Sequence, residues 1–372
     1  MDLSVSFMGL TLKNPIIVAA GPLTGSGKMI KQAIEAGAAA VVTKTIVNET
    51  RQNVRPRLAS NSLGMQNIEL YSEYSLEEWE EEIACAKEYG AIVIANILAH
   101  TPSEMAYIAK RLEKCGVDAI ELGISSPHGE GIEVLGANPS KLYEFTKSVV
   151  NAVDIPVMVK LSSNVTNLVK LAKAAKKAGA SAISGIDTVR SIIGVDIEKQ
   201  MPLLPTYGGY SGEGIRPIGL AAVATIAQAI NIPVSGIGGI ASYRHVLEYI
   251  MLGAANVQIC TSVIMNGFQH IGKILYDLED WMNQKGYNSF DEIRGSALTH
   301  LKSFEEIKHE PNISTKNKEC LNELCGICIK SCMYQAIERK NGKIHIDSHR
   351  CSGCGLCISM CPEGSFKLEW DK

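Results

Sequence analysis

Eight of the eleven cysteines fall after residue 319, in two runs: Cys320, Cys325, Cys328 and Cys332, then Cys351, Cys354, Cys357 and Cys361, the last followed by Pro362. Thiolate sulfur is a soft ligand. The second run reads C-x2-C-x2-C-x3-C-P, in which one short loop wraps a cubane with three thiolates while the fourth cysteine reaches a second cluster. The spacing predicts two [4Fe-4S] clusters with crossed ligand sets: Cys320, Cys325, Cys328 and Cys361 for one, and Cys351, Cys354, Cys357 and Cys332 for the other. The first run is wider, with Leu321 to Leu324 between its first two cysteines where two residues are usual. A zinc ribbon or a disulfide framework also clusters cysteines, but neither explains this order followed by an apolar, strand-like stretch.

A second group of residues suits a phosphate. VSGIGGI, Val234 to Ile240, puts three glycines where a strand turns into a helix, and the next apolar run ends in Gln258, Ile259, Cys260, Thr261 and Ser262. Bare backbone N–H groups and a helix N-terminus aimed at one point bind an anion, and a mononucleotide such as FMN fits. No G-x-G-x-x-G follows a strand, so the chain shows no dinucleotide site of its own. Electrons are then expected to pass through the clusters to a separate protein.

The elements that must position these residues alternate from residue 15 to about 265. Apolar runs at Pro15 to Ala20, Ala39 to Ile46, Ala91 to Ile97, Asp118 to Ile124, Pro156 to Leu161, Ser181 to Asp187, Ile232 to Ile237 and Ala255 to Cys260 read as strands. Helix-period segments such as Ser103 to Cys115 and Asn167 to Ala178 follow them, so the fold class is α/β, a (β/α)8 barrel. Val47 to Gly90 and Thr188 to Gly214 are too long for simple connections and read as elaborated loops over the barrel mouth. A long helix is expected from Ser262 to about Lys285. The polar stretch His309 to Lys318 reads as a linker, giving a barrel domain over 1–308 and a bacterial-type two-cluster ferredoxin domain over 309–372.

Hydrophobic residues make up 46% and charged residues 20% of the chain, and the net charge is −3, which describes a globular protein without the basic surface that draws nucleic acid or anionic lipid. The lysine-rich stretch Lys170 to Ala180 reads as the wet face of a barrel helix. With no long apolar run, no leader pattern and thiolates that must stay reduced, the expected setting is cytoplasmic, away from nucleic acid and membrane.

NPIIVAAGPLTGSG (Asn14 to Gly27), VVTKTI (Val41 to Ile46), QNIELYSE (Gln66 to Glu73), ELGISSPHGEG (Glu121 to Gly131), VKLSSNVT (Val159 to Thr166), IDTVRSIIGV (Ile186 to Val195), TYGGYSGEGIRPIGL (Thr206 to Leu220) and VSGIGGI together resemble the dihydroorotate dehydrogenase family. They are most similar to the FMN barrel and appended ferredoxin segment of dihydropyrimidine dehydrogenases, over nearly the whole chain. The resemblance implies that Ala20 and Gly21 line the flavin ring, that Lys44, Thr45 and Asn96 contact ring or ribityl chain, and that Lys160 sits near flavin N1 and O2. It places Gly212, Gly238, Gly239, Cys260 and Thr261 on the ribityl phosphate. It also implies a homodimer, and as electron partner a ferredoxin or an NAD(P)H-oxidising flavoprotein subunit.

Hydride exchange at flavin N5 needs a group that moves a proton at the adjacent substrate carbon. The family position is the residue before proline in motifs such as S-C-P, here Ser126, with His128 or water as relay. For the substrate, Asn67 matches a family amide, and Ser125 and Thr188 flank two departures: Gly123 and Asp187 stand where asparagines are expected. A carboxylate offers no donor, so a pyrimidine edge facing Asp187 meets a mismatch of about 1–3 kcal/mol. The expected activity is reduction or oxidation of a CH–CH/C=C bond in a small, cyclic molecule. The rivals are an authentic dihydropyrimidine or dihydroorotate dehydrogenase, and an electron-transfer subunit with no substrate chemistry.

Overall fold

The computed structural model describes residues 2–126, 132–307, 313–320 and 324–368. Two compact units, Met1–Leu301 and Lys302–Lys372, divide the chain. In the first, eight parallel strands close into a barrel: β1 (Ile16–Val18), β2 (Ala40–Val42), β3 (Val93–Ile97), β4 (Ala119–Leu122), β5 (Val157–Leu161), β6 (Ala182–Gly185), β7 (Val234–Ile237) and β8 (Asn256–Ile259). Each pairs with the next in sequence, and β8 closes on β1 through Gln258 and Ile17. All eight expected apolar runs are strands of this barrel. Strands buried on both faces are written as continuous apolar runs, and the strands IIV, AVV and VIANI are buried at every position. Several polar side chains break that rule on the barrel strands, among them Asn96, Glu121, Lys160, Ser184 and Gln258, all buried.

The helices are set by local signals. Thr101 accepts from the Glu104 amide with Pro102 in the first turn, opening Pro102–Lys114. Asn167 caps Leu168–Ala178 through the Lys170 amide, and Gly179 ends it at φ +101°. Such caps are worth about 1 kcal/mol each. That helix buries Leu171, Ala172, Ala175 and Ala178 and turns its lysines outward.

The two long loops are joined to each other. Leu58–Asn61 and Gly64–Asn67 from the first pair with Gly208–Ser211 and Val189–Ser191 from the second in one four-stranded antiparallel sheet, where Asn67 faces Gly209. Buried Gln66 donates to the Ser191 and Thr206 carbonyls and accepts from the Ile193 amide, tying both loops. The first stretch is not loop throughout, since Leu76–Glu88 is a helix opened by a Ser75 capping box. The long helix expected from Ser262 is likewise interrupted: Thr261–Asn266 ends at Gly267, whose φ of +83° suits glycine, and Gln269–Lys285 begins anew.

In the second unit Ser314–Lys316 pairs with Phe366–Leu368, so part of the stretch read as linker is a strand. A hairpin of Ile337–Lys340 with Lys343–Ile346 and two short helices, Ile327–Ser331 and Leu356–Met360, complete it. Its buried apolar cluster is small: Cys328, Ile337, Ile344, Cys357 and Phe366.

Candidate active site

A cavity of about 340 Å³ opens at the carboxyl ends of the strands, floored by Ala19 to Gly21, Lys160, Gln258 and Cys260 and walled by the loop sheet. Of the residues singled out from the sequence it gathers Ala20, Gly21, Asn67, Lys160, Asp187, Thr188, Gly212, Gly238, Gly239, Cys260 and Thr261. The glycines are there for close approach. A Cβ on Gly239 (φ +70°) would lie 2.7 Å from the Gly212 carbonyl oxygen, and one on Gly212 (φ +105°) 2.4 Å from Gly64. A Cβ on Gly21 would meet Cys260 Sγ at 2.9 Å. Burial pushes the Cys260 thiol up to about 12, which disfavours the thiolate.

Lys160, the last but one residue of β5, is 7% exposed, and its Nζ lies 3.8 Å from Asp187 Oδ1. Burial alone would lower its pKa, but the charges of Asp187 and then Glu121 outweigh that and hold it above the ordinary lysine value. Asp187 is engaged on both oxygens: Ser125 Oγ donates to Oδ2 at 2.7 Å and the Thr188 amide to Oδ1 at 2.7 Å.

Other expected residues lie elsewhere. Lys44 is outside the cavity lining and pairs with Glu69 at 3.0 Å; Glu69 also accepts from Arg57 Nε at 2.5 Å and from Asn67 Nδ2 at 3.4 Å. Burial raises the Glu69 carboxyl, but Lys44 and Arg57 overcome it and the net direction is down. Glu69 and Arg57 were missed in the sequence, although a carboxylate two residues from Asn67 was the visible signal. Thr45 is likewise outside the lining and gives its carbonyl to the Ser72 amide. Ser126 does not line the main cavity. With Ser125, Ser162, Asn164 and Arg190 it borders a smaller one of about 120 Å³, and the Ser125–Asp187 hydrogen bond links the two walls. His128 lies outside the described residues.

Gly123 is buried against Asn96, whose Nδ2 donates to Glu121 at 2.7 Å. A Cβ at Gly123 would lie 2.4 Å from Asn96 Oδ1, so the amide of β3 fills the space that a side chain at the end of β4 would need. Gly123→Ala is expected to cost about 1–3 kcal/mol by overpacking. Thermal denaturation checks this, and an unchanged midpoint would mean that Asn96 swings away freely.

In the second unit, backbone N–H groups already point at sulfur. Ala336 donates to Cys332, Ser365 to Cys361 and Ser314 to Cys351, at 3.3, 3.3 and 3.4 Å. Burial would raise Cys361, but the backbone amides of Ser365, Glu363 and Gly364 outweigh it and favour the thiolate. Cys328 is held up by burial with Cys361 and Cys320 nearby, and Cys357 by burial with Cys351 and Cys354 nearby. Among the described residues no three His, Cys, Asp or Glu side chains gather tightly enough for a single metal ion; the thiols around a multi-atom cluster stand further apart.

A closed parallel barrel with a glycine-edged cavity at its strand ends, joined to a cysteine-rich unit, defines a class of barrel oxidoreductases with an iron–sulfur appendage. Comparison with known proteins gives the family. The dihydroorotate dehydrogenase family matches residues 2–282, and a 4Fe-4S dicluster domain matches residues 319–365. The chain belongs to the dihydroorotate dehydrogenase family. It is 37% identical over 305 residues to the catalytic subunit of dihydroorotate dehydrogenase B (NAD(+)) of Pyrococcus abyssi, covering 80% of this chain and 99% of that one. It is 32% identical over 331 residues to the chloroplastic dihydropyrimidine dehydrogenase (NADP(+)) of Arabidopsis thaliana, covering 81% and 78%. No helix among the described residues is long and apolar enough to cross a membrane.

Proposed function

We propose that this chain is an FMN- and iron–sulfur-dependent oxidoreductase acting on the CH–CH/C=C bond of a small cyclic molecule, exchanging electrons through two [4Fe-4S] clusters with a separate ferredoxin or NAD(P)H-oxidising subunit. The observation that carries it is the pair of buried Lys160 and half-buried Asp187 in a glycine-edged cavity at the barrel mouth. The residues present fit FMN. Ser262 and Gln258 line the cavity, the Ser262 hydroxyl and Gln258 Oε1 are buried without a hydrogen-bond partner, and the helix Thr261–Asn266 has no side-chain cap on its first amides. A ring with a ribityl phosphate supplies what those groups lack. Lys160 would face the ring, with Ala20 and Gly21 beneath it, and Gly238, Gly239 and Thr261 would hold the phosphate.

FMN, when bound, supplies hydride exchange at N5. The chain's own residues supply binding and proton movement. Asn67, Asp187 and Thr188 orient the substrate, Lys160 holds a fixed positive charge, and Ser126 moves the proton at the neighbouring carbon. Asp187 puts a carboxylate on the cavity wall where the resemblance leads one to expect an amide, which favours a substrate presenting a donor or a cation there over uracil, thymine or orotate.

Anaerobically purified protein should contain FMN and turn over pyrimidines slowly. Asp187→Asn should raise turnover of uracil or dihydroorotate about tenfold or more, the worth of about 1–3 kcal/mol of relieved mispairing. Rapid wild-type turnover of either pyrimidine, measured with an artificial electron carrier, would overturn the substrate assignment.

A further inference from the structure

Glu121 has no part in the chemistry above, yet it is fully buried inside the barrel. Its donors come from three separate strands. Asn96 Nδ2 of β3 donates to Oε1 at 2.7 Å; Ser184 Oγ of β6 and Gln258 Nε2 of β8 reach Oε2 at 2.7 and 3.3 Å. Two amide N–H groups and a hydroxyl converge on it, and a carboxylate can accept from all three. Two of the groups that feel it, Gln258 and Lys160, line the cavity.

We infer that Glu121 is a second, substrate-remote counter-charge to Lys160 and that it sets the reduction potential of the flavin site. Asp187 can change its partners when substrate enters, because it sits on the cavity wall and holds Ser125 as well as Lys160. Among the described residues the donors to Glu121 all come from barrel strands, so its charge stays in place when substrate enters. It therefore supplies a constant negative charge beside the place where reduction adds electrons, opposing that reduction, and it keeps the lysine protonated without consuming a substrate contact. Glu121 is a positioning residue, acting through Lys160 and Gln258. The inference rests on the flavin seat proposed above.

Spectroelectrochemical titration of the FMN-loaded full chain tests it. Glu121→Gln keeps the shape and removes the charge, and the flavin midpoint is expected to move positive. At the wild-type midpoint the reduced-to-oxidised ratio should rise about tenfold, which is about 30 mV for a two-electron couple. Ser184→Ala removes one hydrogen bond and leaves the charge, so its midpoint should stay near wild type. A Glu121→Gln holoprotein with an unmoved midpoint overturns the inference, as does an equal shift in both variants, which would make the network's geometry and not its charge the cause. Should Glu121→Gln not fold, infrared difference spectra of wild type and Ser184→Ala decide: a glutamate carboxylate band that responds to flavin reduction and moves in Ser184→Ala supports the inference, and its absence overturns it. Protein that binds no FMN at all would instead sink the flavin seat itself.

Discussion

Lys160→Met is expected to reduce turnover by about two to three orders of magnitude, the usual worth of one preorganised charge at a reacting centre. The same change should destabilise the barrel by about 1–3 kcal/mol, because it removes the buried cation beside half-buried Asp187 and leaves that carboxylate with Ser125 and the Thr188 amide alone. The two losses separate by measurement: steady-state turnover of FMN-loaded protein for the first, denaturant unfolding for the second. The pH dependence has a definite sign. Lys160 is held above its ordinary value of 10.5, so its stabilisation is complete below that pH and is lost only as pH rises through the folded-state value. The stability gap between wild type and Lys160→Met should thus be flat through neutrality and close in strong alkali. Lys160→Arg should not restore turnover, because a planar, delocalised guanidinium does not present its charge where the compact ammonium does. A Lys160→Met protein with near-normal turnover and unfolding would remove the basis of the proposed site.

The barrel was legible because a parallel strand covered on both faces has no polar face to hide its pattern. Runs such as Val41 and Val42, or Val93 to Ile97, announce themselves. The sheet over the mouth was not. Leu58–Asn61 is largely exposed and carries Ser60 and Asn61, and the strand it helps build finds its other partner, Gly208–Ser211, far along the chain. No local period encodes such pairing; it is fixed by Gln66, whose three bonds join backbone groups of the other loop. The helix break at Gly267 is a single backbone angle, and periodicity on both sides of it conceals the interruption.

Site residues were legible in proportion to how far their place is fixed by a strand end. Asp187, Gly238 and Cys260 each close or follow an apolar run, Lys160 is one residue from the end of one, and all four meet in one cavity. Lys44 also ends such a run, yet its side chain turns to Glu69, because a buried carboxylate nearby decides where a long cation goes. Ser126 sits beyond its strand, on a loop whose course the strand does not dictate. Glu121 was visible as a charge within the apolar run Ala119 to Ile124, and such a residue inside a strand buried on both faces is a stronger signal than any loop serine.

Removing Cys361 should abolish the cluster of the other cysteine run. If the ligand sets are crossed, Cys361→Ala and Cys328→Ala eliminate the same paramagnetic signal, and iron falls from about eight to about four per chain in each. Combining those two changes should cost no further iron, whereas combining Cys361→Ala with Cys357→Ala should remove nearly all of it. The neighbourhoods favour this outcome: Cys361 and Cys320 influence Cys328, and Cys351 and Cys354 influence Cys357. The reverse result, with Cys361→Ala plus Cys357→Ala keeping about four irons, would mean that each run serves its own cluster. Stability should follow the metal. Among its described residues the second unit buries a handful of apolar side chains, two of them the cysteines Cys328 and Cys357, so the proposed clusters are expected to supply much of its folding free energy. Loss of both clusters should therefore leave the 302–372 unit unfolded while the barrel, with its own core, keeps its melting transition, a difference that limited proteolysis followed by mass analysis reads directly.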